Sequence, residues 1–138
     1  MRYNDENRNV IWDRLRFTQP ILFKGLEATG GICPTDIDAI TEYHDRLYII
    51  AEVKKEGTSI SKGQTLCLTR LIDALEASGR IARLCICLHD TDASEDVLLA
   101  DTKVVLIYYN HIWHKVEKDV SFGDAWKYWI NWAKQKYG

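Results

Sequence analysis

The segment PTDIDAITEYHDRLYIIAEVKKEG, Pro34 to Gly57, sets Asp36, Asp38, Glu52 and Lys54 into two stretches that otherwise read as strands. A strand keeps its inner face dry, and an unpaired carboxylate buried there costs several kcal/mol or takes up a proton. A bound cation is the first candidate to offset that cost. Side chains alternate across a strand, so Asp36 and Asp38 share one face, and Glu52 and Lys54 share one face of the next strand. If the strands pair, the four polar groups converge. Two carboxylates with backbone oxygens and waters suit Mg²⁺ or Mn²⁺, which prefer hard oxygen ligands. A lysine two residues after Glu52 is then placed to orient an attacking water or to meet charge growing on a phosphate.

A hairpin and a helix must position these groups. Thr35 to Tyr43 and Leu47 to Lys54 are expected to be antiparallel strands joined through His44-Asp45-Arg46. After the turn-rich EGTSISKGQ, the segment TLCLTRLIDALEAS carries Leu66, Leu68, Leu71, Ile72 and Leu75 at helical spacing and closes at Gly79. RIARLCICLHD has the near-continuous apolar run of a central strand covered on both faces. TDASEDVLLAD is a polar excursion, and KVVLIYYNHIWHKVE splits at Asn110-His111 into two strands. SFGDAWKYWINWAKQKY ends the chain as an aromatic amphipathic helix with Ser121 as N-cap, its rings placed for core or dimer packing. Ahead of all these, Asp5 to Phe17 predicts a short amphipathic helix, and TQPILFKGLEATGGICPT an irregular connection broken by glycine and proline. No internal repeat or low-complexity tract interrupts the pattern, which predicts one α/β (α+β) domain over residues 1–138.

Taken together, TDIDAI, AEVKK and SKGQTLCLTRLIDAL resemble the PD-(D/E)xK nuclease superfamily over Asp36 to Leu75. The remaining element order is similar to that family's αβββαβ core, a restriction-endonuclease-like mixed sheet flanked by helices. The resemblance implies Asp38 as the first metal ligand, Glu52 as the second, the Val53 carbonyl facing the metal, and Lys54 as the catalytic lysine. Gln64 matches the glutamine that some branches place near the site, among them Holliday-junction-resolvase-like members of phage and prokaryotic type. Asp36 is a second candidate for the single aspartate the pattern needs. The family often adds an acid from its first helix, for which Glu6, Asp13 and Glu27 stay open. The implied activity is Mg²⁺- or Mn²⁺-dependent hydrolysis of DNA phosphodiesters, structure-specific in recombination or repair, by a homodimer with no small-molecule cofactor. A catalytically silent module of the same fold, binding nucleic acid or protein, is the alternative, and a nuclease subunit acting on RNA or within a repair complex is a third reading.

Each group also has a plainer role open to it. Asp36 can form an Asx-turn after Pro34, Glu52 and Lys54 can line a solvated edge strand, and Gln64 can be an ordinary early helical residue. Lys55 and Lys62 flank a segment able to grip phosphate, or simply solubilise a face. His111 and His114 lack a second ligand set and are expected at the surface or in packing.

Composition narrows the field. The 138 residues are 46% apolar and 28% charged with a net charge of −2, a balance of soluble globular chains and not of strongly basic nucleic-acid binders. A local lysine patch or a bound metal can still neutralise phosphate within an acidic protein. The opening MRYNDENRNVIWDRLRF has no charged-then-apolar leader and no run reaches a membrane span, so a cytoplasmic protein without a membrane partner is expected. The four cysteines, Cys33, Cys67, Cys85 and Cys87, lack zinc-ligand spacing and are expected to be buried thiols.

Overall fold

The structure is a computed structural model and describes residues 21–138. The helix expected over Asp5 to Phe17 therefore lies outside the described residues, together with Glu6 and Asp13. The described residues fall into two units, the first ending at Pro34 and the second running Thr35–Gly138. In the first, Ala28 and Ile32 pair across a turn through Gly30 and Gly31, both at positive φ, and Glu27 belongs to this unit.

The second unit is an α+β fold around a five-stranded mixed sheet in the order β1-β2-β3-β4-β5. Its elements are β1 (Ala39–Tyr43), β2 (Leu47–Lys55), α1 (Lys62–Ala77), β3 (Ile81–His89), a 3₁₀ turn (Leu99–Asp101), β4 (Lys103–Tyr109), β5 (Ile112–Lys115) and α2 (Phe122–Tyr137). β2 and β3 run parallel, which requires a crossover, and α1 supplies it. The other neighbours are antiparallel. Two strands precede α1 in this unit, whereas an αβββαβ order calls for three.

Strand alternation divides the core between the helices. Leu47, Ile49 and Ala51 of β2, with Cys85, Cys87 and Val104, face α2 through Phe122, Ile130 and Ala133. Ile50, Ala82, Leu84 and Tyr108 point to the other side and meet Leu68 and Ile72 of α1. Fully buried residues such as Ile50 and Ile72 each contribute about 1.5–3 kcal/mol through removal from water. Trp126, Trp129 and Trp132 pack on the α2 side, so most of the aromatic stripe serves the core, while Tyr128 is exposed.

Polar ties fix the C-terminal half of α1. At its C-terminus Gly79, at φ 89, turns the chain and Arg80 forms a bidentate pair with Asp45 in the β1–β2 turn. The Arg80 guanidinium, with the Tyr48 hydroxyl beside it, holds the Asp45 carboxyl well below the usual carboxylate range. Further along, Tyr108 Oη donates to Asp73 at 2.8 Å and Asn110 N–H donates to Glu76 at 3.0 Å. His111 is exposed beside Asp73, and His114 stacks on Tyr109 at 3.9 Å, a surface and a packing role. Trp126 Nε1–H donates to Thr41 Oγ1 at 3.0 Å and ties α2 to the edge strand β1.

Three expectations need correction. The first strand begins at Ala39, not Thr35, so Asp36 and Asp38 precede it and do not share a strand face. α1 begins at Lys62, before Thr65, because Ser61 caps it. Only Cys85 and Cys87 are buried thiols; Cys67 lies off the Leu68–Ile72 stripe of α1 and Cys33 sits in the irregular stretch, both exposed. No helix among the described residues is long and apolar enough to cross a membrane.

Candidate active site

Glu52 follows Ile50 by two residues on β2 and so faces α1, at the sheet end where α1 begins. Its side chain is fully buried, the one acid among the described residues of which this is true. Three residues meet it. Asp38 N–H donates to Glu52 Oε1 at 3.2 Å, Gln64 Nε2–H donates to Oε2 at 2.5 Å, and Lys54 Nζ lies 3.8 Å from Oε2. The Asp38 carboxylate lies alongside, accepting the Val53 N–H on Oδ2 at 2.7 Å. Asp38 and β2 thus exchange two hydrogen bonds, each between one partner's main chain and the other's carboxylate, where a longer β1 would have placed ladder bonds. This exchange also explains the late start of β1.

The electrostatics follow from the burial. Desolvation first, and then the negative charge of Asp38, push the Glu52 carboxyl above its ordinary range, with Asp36 adding to the effect. The Asp38 N–H and the Lys54 ammonium pull the other way without cancelling it. Cys87, opposite Val53 in the parallel register, is raised to about 11, mainly by burial.

Asp38, Glu52, Lys54 and Gln64 are therefore brought together, with Val53 joined through its backbone. Asp36 is exposed and reaches Glu52 only through its charge. Among the described residues no cluster of three or more His, Cys, Asp or Glu side chains is placed to hold a metal. Sequence reasoning passed over Ser61, whose Oγ accepts the Gln64 N–H at 3.1 Å and fixes where α1 starts. The spacing Ser61-Lys62-Gly63-Gln64, that of a capping box, was the signal available.

A cavity of about 420 Å³ opens between the end of β3 and the start of β4. Glu56, Asp90, Glu95, Asp96 and Asp101 line it against Lys103. Lys55, at the end of β2, and Lys62, at the start of α1, are both exposed.

Comparison with protein-family models, with curated proteins and with solved structures finds no match to this chain.

Proposed function

We propose that the Asp38–Glu52–Lys54 cluster is the hydrolytic centre of a metal-dependent DNA endonuclease of PD-(D/E)xK type. The observation that carries this reading is Glu52: a fully buried carboxylate kept beside a second carboxylate, with an ammonium at 3.8 Å. Burying Glu52 while setting the exposed Asp38 carboxylate against it works against folding, an arrangement more typical of functional sites than of cores. The donor set fits Mg²⁺ or Mn²⁺, with Asp38 and Glu52 as hard oxygen ligands and the Val53 carbonyl completing the protein's share. When bound, such a cation supplies an acidified water and neutralises phosphate charge.

The chain's own residues do the rest. Lys54 directs its ammonium to the attacking water and to the phosphate oxygens as charge grows on them. The water oxygen gives up a proton to solvent and bonds to phosphorus while the phosphorus–sugar oxygen bond breaks, and the departing sugar oxygen takes a proton from solvent. In the cation-free protein Gln64 donates to Glu52 Oε2 from the α1 side. Lys54 at the site and the exposed Lys55 and Lys62 on either side of the 56–61 segment supply the positive charge for DNA. Structure-specific cutting in recombination or repair, and a homodimer to span the substrate, complete the proposal.

A silent module of the same fold is the second reading, and one observation favours it: both Glu52 oxygens already have protein donors. Two measurements separate the readings. Calorimetry should show Mn²⁺ or Mg²⁺ binding that is lost in Asp38→Ala, and unchanged binding there removes the site. DNA binding should weaken steeply with salt, because engaging phosphates at three lysines gives a slope of log affinity against log salt of about −3. Salt-independent binding points to another partner.

A further inference from the structure

The Gln64 side chain has two places to go. In a capping box the N-cap hydroxyl takes the N–H of the residue three positions on, and that residue's side chain returns to the N-cap N–H. Half of this box is closed here, with Gln64 N–H on Ser61 Oγ at 3.1 Å. The other half is not, because the Gln64 side chain reaches across to Glu52 and donates from Nε2 to Oε2.

Resting on the metal-site reading above, we infer that Gln64 is a latch. It holds Glu52 Oε2 in the cation-free protein, and it swings back to close its capping box on the Ser61 N–H when a divalent cation takes that carboxylate. A donor N–H and a cation compete for lone pairs on one oxygen, and the hydrogens of the amide repel a cation. Oε2 also has Lys54 at 3.8 Å, so little of it is free while the latch is engaged. Release is easy because the alternative partner is local: one hydrogen bond is exchanged for another within the first turn of α1. The helix itself need not move, since Asp73 and Glu76 anchor its far half to Tyr108 and Asn110. A ligand shifts such a two-state side chain by its different affinity for the two states. Gln64 is then a positioning residue that lowers cation affinity, the opposite of a group that supports the ligand.

The test is Mg²⁺ titration of the full chain by calorimetry, in wild type, Gln64→Met and Asp38→Asn, with the Gln64 side-chain amide followed by NMR in wild type. Methionine keeps length and helix preference and cannot donate. The latch predicts that Gln64→Met binds Mg²⁺ about tenfold more tightly, equivalent to about 1.4 kcal/mol. It also predicts that the Gln64 amide resonances move in step with Mg²⁺ occupancy. If wild type binds Mg²⁺ and loses it in Asp38→Asn, but Gln64→Met binds equally or more weakly, the latch is wrong and the metal site stands. Should Gln64→Met not fold, amide resonances that stay still through the wild-type titration overturn it alone. If wild type binds no Mg²⁺, the metal-site reading fails and the latch falls with it.

Discussion

Lys54→Ala should fold, bind Mn²⁺ and DNA, and cleave on the order of a hundredfold more slowly. The folding half of this expectation rests on exposure and geometry. The Lys54 side chain keeps a quarter of its surface in water and sits 3.8 Å from Glu52, a loose pair whose loss costs roughly 0–1 kcal/mol. Glu52 retains the Asp38 N–H and the Gln64 amide as donors. The catalytic half rests on where charge develops. An ammonium aimed at a deprotonating water and a phosphate stabilises the transition state more than the ground state. Losing one such donor raises the barrier by ~3 kcal/mol. Melting curves, Mn²⁺ calorimetry and single-turnover cleavage read the three properties separately. A variant that unfolds would make Lys54 a structural residue.

Glu52→Gln should lose divalent-cation binding and yet be more stable at neutral pH, by about 1 kcal/mol in urea unfolding. Burial and Asp38 raise the Glu52 carboxyl above its ordinary value of 4.5. The folded state therefore prefers the protonated acid. Its contribution to stability is fully present below pH 4.5 and is lost as pH rises through the raised value. Glutamine resembles the protonated form, accepts the Asp38 N–H, and can pair with a flipped Gln64 amide, so it carries no such loss. The difference between variant and wild type should grow as pH rises above 4.5 and level off once it passes the raised value. A variant less stable than wild type at neutral pH would mean that the ionised carboxylate is there to hold the fold, as the silent-module reading requires.

Much of this site was legible because alternation and helical spacing are local. Asp-x₁₃-Glu-x-Lys reads correctly as a converging group since β1 and β2 form a hairpin whose register follows from its short turn. That turn falls at His44-Asp45-Arg46 as expected, although His44 and Asp45 take positive φ without a glycine to mark it. Asp36-Ile37-Asp38 mimics a strand, yet side-chain bonds to β2 replace the ladder there, and no periodicity encodes that. Gly63 reads as a turn residue but sits inside the first turn of α1, where the Ser61 cap overrides its low helix preference. The partner of Gln64 is a tertiary fact: spacing places Gln64 near the start of a helix, but only the crossover from β2 through α1 brings it onto Glu52.

Cleavage by the wild-type protein tests the central claim most directly. Four-way junction, flap, single-stranded and linear duplex DNA would be incubated with Mg²⁺ or Mn²⁺ beside Asp38→Ala and an EDTA control. A metal-dependent endonuclease predicts strand scission of at least one substrate, absent with EDTA and abolished by Asp38→Ala. Intact DNA across the whole panel with either metal, or scission that survives Asp38→Ala, would contradict it.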